Sequence, residues 1–295
     1  MTHTIGFIGQ GWIGKHYADD FENRLYSVVR YALEEPYAQN KAQISDCFVV
    51  FIAVPTPTTV DGFQIAAVES ALSVVAAGST VVIKSTLIPG MTQQLQAAFP
   101  DLYILHSPEF LVEKTAAHDA AFPKRNIVGI PIDTPEYLKR AQQVLDLLPN
   151  APFETIMGAK EAELTKYAGN TFLYTKVVFM NILHDLVTAS GADFETVRAA
   201  LVADPRIGAS HTQPVHQSGH DQANPAPVRG AGGHCFIKDF EAMRRLYAQL
   251  LGTDQAHTVL SALTDYNNQL LVKSNKDIDL LTEVHGASAV KKLHT

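Results

Sequence analysis

Ile5-Gly6-Phe7-Ile8-Gly9-Gln10-Gly11-Trp12-Ile13-Gly14 stands near the start of the chain, and its reading decides the fold. Four residues of strand character run into G-x-G-x-x-G, and a helical pattern follows over Gly14–Phe21. The motif is informative only between a strand and a helix, which is where it lies here. Gly9 permits the tight turn, Gly11 lets a pyrophosphate approach the backbone, and Gly14 lets the helix pack closely on the strand. Gln10, Trp12 and Ile13 fill the intervening positions of the turn. The helix start offers free N–H groups and positive partial charge to phosphates.

Outward from this turn, short apolar runs alternate with amphipathic stretches. Strands are predicted at Ile5–Ile8, Tyr26–Tyr31, Phe48–Ala53, Thr80–Lys84, Tyr103–His106 and Asn126–Ile130. Helices are predicted at Gln64–Ala76, Thr92–Ala98 and Pro135–Leu148. Continuous apolar strands alternating with helices indicate an α/β domain, a doubly wound parallel sheet of Rossmann type. An acidic residue is expected at the end of the second strand to hold the adenosine ribose. Ala32 occupies that position, with Glu34 or Glu35 next in reach. Arg30, read as an exposed strand-end arginine, leaves NADP open, while NAD is favoured.

Beyond Gly158 the pattern changes. Ala159 to Ala189 contains no Pro and one Gly, which predicts a single helix far longer than the usual three turns. Further helices are expected at Phe194–Val202, Asp239–Leu251 and Gln255–Val272. Asp204 to Gly233 reads as a long Pro-, Gly- and His-rich loop. The domain division is therefore 1–156 for the dinucleotide-binding domain and 157–285 for an all-α domain, with 286–295 as a disordered tail.

The 295 residues are 46% hydrophobic and 18% charged, with a formal net charge of −7. That balance fits a well-buried globular protein, and the acidic excess argues against nucleic acid. No uninterrupted apolar run of about 18 residues is present, so no membrane helix is expected. Two cysteines cannot build a disulfide framework, and the start of the chain carries no leader signature; a soluble, cytoplasmic protein is expected.

Gly230-Ala231-Gly232-Gly233-His234-Cys235-Phe236-Ile237-Lys238-Asp239 carries the chemistry. A glycine-rich turn delivers Cys235 to a helix start, where thiol pKa falls and the nucleophilic thiolate is favoured. Cys47, inside an apolar run, reads as a small buried hydrophobe.

This segment resembles the G-x-G-G-x-C-x-P-K-D signature of the UDP-glucose and GDP-mannose dehydrogenase family. Val54-Pro55-Thr56-Pro57 is similar to the family's V-P-T-P. Lys84-Ser85-Thr86 with Pro89-Gly90-Met91-Thr92 is similar to S-T-x-x-P-G-T-T, and Ser107-Pro108-Glu109-Phe110-Leu111 to S-P-E-F-L. Glu161 to Phe172 resembles the E-x-E-L-x-K-x-x-x-N-x-F helix, and Asp204-Pro205-Arg206-Ile207-Gly208 the D-x-R-I-G segment. The resemblance spans about residues 5 to 270 in six ordered motifs.

It implies oxidation of a primary alcohol of a nucleotide sugar to a carboxylate with NAD, through a thiohemiacetal and thioester on Cys235. Lys166 and Asn170, four apart on one helix, would aim donors at the developing oxyanion. Glu109 is implied as general base, Glu113 as a supporting carboxylate, and Asp239 with Thr86 as the pair that positions water. Val54, Pro55, Thr56, Ser85, Thr86 and Glu34 would line the cofactor. Phe110, Leu111, Arg206, Gly232 and Gly233, with Lys166 and Asn170, would meet the sugar substrate. In the family the long helix forms a dimer core; the apolar Leu173, Val177, Met180 and Leu183 fit that role or burial within one chain.

Two departures stand out. Ile237 replaces the signature proline, and nothing after Val272 reads as the family's third, nucleotide-gripping domain. The substrate is then held differently, or a partner completes the site. His211, His216 and His220 with Asp221 are read as a polar lid and not as a metal site, because their spacing matches no ligand set. Two other readings stand beside the first: a two-electron hydroxyacid or sugar-phosphate dehydrogenase of 6-phosphogluconate type, which needs no cysteine, and a non-catalytic cofactor-binding paralogue.

Overall fold

The computed structural model describes residues 4–216 and 227–293, apart from the Glu113 side chain. It divides into two compact units, Met1–Pro57 with Gln64–Lys166 and Thr58–Phe63 with Tyr167–Thr295.

The first unit is built on a seven-stranded sheet. Its strands are β1 (Thr4–Ile8), β2 (Ser27–Tyr31), β3 (Val49–Ile52), β4 (Thr80–Ile83), β5 (Tyr103–His106), β6 (Arg125–Ile130) and β7 (Phe153–Gly158). Their order is β2-β1-β3-β4-β5-β6-β7. The first five strands run parallel, as their continuous apolar character requires. The predicted parallel sheet has one antiparallel pairing, where β6 joins β5 through His106 and Gly129. β7 is not foreseen, because Phe153-Glu154 is exposed and the strand carries no clean alternation.

Helices α1 (Trp12–Asn23), α2 (Ala66–Leu72), α3 (Met91–Ala98), α4 (Ala116–Ala121) and α5 (Pro135–Leu147) connect the strands. α5 starts where Thr134 accepts from the Tyr137 N–H and Pro135 sits in the first turn, a strong start signal. Phe7 stacks on Phe51 at 5.0 Å and meets Phe21 edge-on at 5.3 Å. Each such buried ring contributes about 1.5–3 kcal/mol relative to exposure.

α6 runs over Ala159–Ala189, as the sequence predicts, and from Tyr167 onward it belongs to the second unit. There it is followed by α7 (Phe194–Val202), α8 (Gly233–Leu251), α9 (Gln255–Lys273), α10 (Ile278–His285) and α11 (Ala287–Lys292). α8 begins six residues before the predicted Asp239, which draws Cys235 into its first turn. The expected tail from residue 286 is instead helical over Ala287–Lys292, because Val290 is buried with Ile237, Leu271, Leu281 and Val284. Within Asp204–Gly233, Val215–His216 pairs antiparallel with Val228–Arg229. His220 and Asp221 lie outside the described residues.

The apolar stripe read from α6 faces inward. Val177 packs with Tyr174, Ala231 and Phe240, while Met180 and Leu183 pack with Val187 and Phe194. A different set, Phe172, Phe179, Ile182 and Leu186, is exposed. Among the described residues no helix is long and apolar enough to cross a membrane.

Candidate functional site

The turn after β1 behaves as its glycines predict. Gly9 has φ +92°, and a Cβ there would lie 2.2 Å from the Ala53 carbonyl oxygen; at Gly14 it would lie 2.0 Å from the Gly9 oxygen. At Gly11 a Cβ would meet nothing within 4 Å. Two glycines thus close the turn, and the third opens it to a ligand. α1 begins directly after Gly11 with no side chain capping its first N–H groups, which leaves donors facing the open side. This cradle fits a pyrophosphate. Trp12 is partly exposed in the same turn, and Ile13 packs against the sheet's core.

Val54-Pro55-Thr56 follows β3 and is tied to the turn after β4. The Val54 N–H donates to Ser85 Oγ at 2.9 Å, Ser85 donates back to the Val54 oxygen at 2.7 Å, and Thr56 donates to the Thr86 oxygen at 2.8 Å. The Ser85 hydroxyl is therefore committed to shaping the turn. Glu34 is exposed just past β2. Arg30 is not the exposed arginine that the sequence suggests: it is 8% exposed and ion-paired with Asp19 and Glu22.

Glu109 and Lys166 form a buried ion pair. Lys166 Nζ donates to Glu109 Oε1 at 2.7 Å and to the Glu109 carbonyl at 2.8 Å, while Glu109 Oε2 accepts from the Leu111 N–H. Both groups are withdrawn from water, so each depends on the other for compensation. Phe110 lies beneath the Arg125 guanidinium at 3.6 Å and 5.8 Å from Lys166 Nζ; Leu111 packs on the core. Glu113 opens the short 3-10 turn Glu113–Thr115, and its side chain lies outside the described residues.

Sequence reasoning missed what surrounds this pair. Lys84 is buried, donates to Ser107 Oγ at 3.1 Å and lies 4.3 Å from the Tyr17 ring centroid. Burial, with Lys166 nearby, lowers its pKa to about 7 against the pull of Glu109. Burial likewise drives His106 down to about 3. Glu163 accepts from the Gly90 and Thr92 N–H groups at 2.5 and 2.8 Å and so caps α3, an anion at a helix start.

In the second unit Asn170 donates to Asp239 Oδ2 at 2.6 Å, and Lys238 to Asp239 Oδ1 at 2.5 Å. Asp239 is fully buried. Asn170 and Asp239, given separate roles by the resemblance, are thus hydrogen-bonded to each other. Cys235 is exposed in the first turn of α8.

The turn before Cys235 is clamped from residues far along the chain. Asn267 exchanges two hydrogen bonds with Ala231, at 2.7 and 2.9 Å. Lys276 donates to the Gly230 oxygen at 2.9 Å and meets His216 Nε2 at 2.7 Å. Asp277 accepts from the Gly233 N–H at 2.7 Å. A Cβ on Gly232 would lie 2.0 Å from Asp277 Oδ2, so a larger residue there would have to displace the Asp277 and Lys276 side chains. Burial lowers the Lys276 pKa to about 8, with Asp277 opposing.

Arg206 pairs with Asp204 on the surface, 87% exposed at its side chain. His211 lies 5.5 Å from the Phe236 ring. Among the described residues no cluster of His, Cys, Asp or Glu is arranged to hold a metal ion.

Residues 20–146 match the model of the NAD binding domain of the UDP-glucose/GDP-mannose dehydrogenase family, and residues 160–269 match that of its central domain. A UDP-glucose 6-dehydrogenase of Streptococcus pneumoniae is 32% identical over 209 residues, which is 68% of this chain and 50% of the relative. The chain spans about half the length of the curated relatives it matches. A UDP-glucose dehydrogenase structure from the archaeon Pyrobaculum islandicum superposes with TM-score 0.74 and 25% identity, covering 92% of this chain and 70% of the other. A 3-hydroxyisobutyrate dehydrogenase from Mycobacterium tuberculosis shares the fold over all of both chains, with TM-score 0.68 at 15% identity.

Proposed function

The chain belongs to the UDP-glucose/GDP-mannose dehydrogenase family, and from that premise we propose that it oxidises the primary alcohol of a nucleotide sugar to a carboxylate with NAD. The observation that carries this reading is Cys235, exposed in the first turn of α8 and delivered by a glycine turn held by Asn267, Lys276 and Asp277. A cysteine kept only for packing would be buried, as Cys47 is.

The Gly9–Gly14 cradle and the Val54–Thr56 and Ser85–Thr86 turns would hold NAD, which when bound would supply the hydride acceptor for both oxidations. Loss of a hydride from the alcohol carbon and of a proton from its hydroxyl oxygen gives an aldehyde. The Cys235 thiolate then adds to the aldehyde carbon, and the oxyanion takes up a proton to give a thiohemiacetal. Loss of a second hydride and that proton gives a thioester, and water cleaves its C–S bond to release the carboxylate and the thiol. Lys166 supplies a fixed positive charge for the oxyanion, held by the Glu109 side chain and carbonyl. Asn170 is the second donor, oriented by Asp239. The family resemblance assigns removal of the alcohol proton to Glu109, direction of the water to Asp239 and Thr86, and contact with the sugar to Phe110, Gly232 and Gly233.

Two copies of the chain pair through α6, where Phe172, Phe179, Ile182 and Leu186 leave an apolar face uncovered. Light scattering in solution should give twice the chain mass.

The activity test follows NAD⁺ reduction against UDP-glucose, GDP-mannose and free and phosphorylated sugars, with wild type and Cys235→Ala side by side. Two reduced cofactors per carboxylate, with the variant inactive or arrested at the aldehyde, is the expected result. One per turnover, insensitive to the variant, would establish the two-electron reading instead. Cofactor binding with no turnover on any of these substrates would point to a missing partner, an untested substrate or a non-catalytic role.

A further inference from the structure

We propose that Asp19 and Glu22 are specificity-determining residues that, by holding the Arg30 guanidinium on Gln10, make the cofactor turn select a dinucleotide with a free 2′-hydroxyl. The inference rests on the reading of Gly9–Gly14 as a dinucleotide cradle.

An arginine at the end of the second strand of such a unit is the residue type that receives a 2′-phosphate. Here its donors are taken. Nε donates to Glu22 Oε1 at 2.9 Å, and Nη2 meets Glu22 Oε2 and Asp19 Oδ1, each at 2.7 Å. Nη1 donates to Gln10 Oε1 at 3.4 Å, and the Gln10 amide donates back to the Gly9 oxygen at 3.1 Å. Four of the five guanidinium N–H groups are thereby occupied. The Arg30 carbonyl also accepts from Asn40 at 2.9 Å, which fixes the strand end.

Two consequences follow. Arg30 is a positioning residue for the turn, acting through Gln10 on Gly9. A phosphate dianion at the ribose would meet Asp19, Glu22 and the exposed Glu34 and Glu35 without an available guanidinium. Like charges oppose it, and no bidentate partner compensates.

Trp12 is the chain's single tryptophan and stands within the turn. Its emission reports cofactor binding without any substrate or turnover. The experiment titrates wild type, Asp19→Asn/Glu22→Gln and the triple variant that adds Arg30→Gln with NAD⁺ and NADP⁺, with calorimetry in parallel. The amides retain acceptors for the guanidinium while removing both charges, and Glu22→Gln alone serves if the double variant fails to fold.

Wild type is expected to bind NAD⁺ about tenfold or more tighter than NADP⁺. The double variant should narrow that ratio by about tenfold through tighter NADP⁺ binding, and the triple variant should lose the gain. Equal affinities in wild type, an unmoved ratio in the double variant, or a gain that survives without Arg30 would each overturn the proposal. Neither heat nor emission change with either dinucleotide would remove the cradle reading itself, and the proposal with it.

Discussion

The two glycine-rich turns of this chain share a plan and differ at one decisive atom. Gly9–Gly14 and Gly230–Gly233 each end a strand-like segment and start a helix with no capping side chain on the residue before it. At the first turn nothing occupies the space in front of Gly11. At the second, the Asp277 carboxylate sits on the Gly233 N–H. The first helix start is left open for an external anion. The second already holds an internal one and presents a thiol instead. Under the proposed function, the same backbone device would serve ligand binding in one place and nucleophile placement in the other.

The sharpest way to break the comparison is to add a methyl group. Gly9→Ala combines φ +92° with a backbone oxygen 2.2 Å from the new Cβ, so a loss of about 3 kcal/mol or more is expected in urea unfolding. Gly11→Ala meets open space at φ −67° and should leave the urea midpoint nearly unchanged while weakening NAD⁺ binding in the Trp12 titration. A stable Gly9→Ala, or Gly11→Ala with unaltered affinity, would undo the division of labour among the three glycines.

Gly232→Ala should fall between these. Its obstacles, Asp277 Oδ2 and Lys276 Cε, are side-chain atoms that can move. A loss of about 1–3 kcal/mol is expected, with Cys235 alkylation altered as the clamp shifts. A silent variant would show that Asp277 and Lys276 do not fix the turn.

This asymmetry also explains what could be read from the sequence. The first turn is local: Gly9, Gly11, Gly14 and the flanking strand and helix lie within twenty residues, and periodicity with glycine placement suffices. α6 was equally legible, since 31 residues with one internal glycine admit no other element. The second turn was legible only in part. Its glycines and Cys235 stand in the motif, whereas Asn267, Lys276 and Asp277 come from the end of α9 and beyond, where single polar residues carry no pattern. Arg30 was misread for a related reason, because burial by Asp19 and Glu22 depends on the register of β2 against α1. For the apolar face of α6 the sequence leaves a dimer core and burial within one chain open, and Val177, Met180 and Leu183 take the second because they satisfy their own unit's core.

Each unit also has a buried lysine, and the two separate with pH. Lys84 has a folded pKa of about 7 against an ordinary 10.5, and Lys276 about 8. Above its folded pKa and below 10.5 each lysine binds a proton in the unfolded chain and not in the folded one. Each therefore makes stability rise with pH across that window, by at most about 1.4 kcal/mol per pH unit. Below the folded pKa both states are charged and the burial cost is borne in full. Lys84→Met should flatten the rise between pH 7 and 8 and lessen that above pH 8, where the Lys276 contribution remains. Urea midpoints at half-unit steps from pH 6 to 10 would read this, and an unchanged slope would mean that Lys84 stays charged in the fold, compensated by Ser107 and Tyr17.

The smallest effect tests the decisive atom itself. Asp277→Asn keeps an acceptor oxygen for the Gly233 N–H but removes a negative charge from the start of α8. A helix start without a resident carboxylate favours the thiolate of a first-turn cysteine. Iodoacetamide should then modify Cys235 severalfold faster at pH 7 in the variant than in wild type. Cys47 supplies the internal control, since burial raises its pKa to about 11. Equal rates would mean that the carboxylate only positions the turn. A faster rate would show that Asp277 also restrains the thiol, so that the second turn trades some reactivity of Cys235 for a fixed geometry.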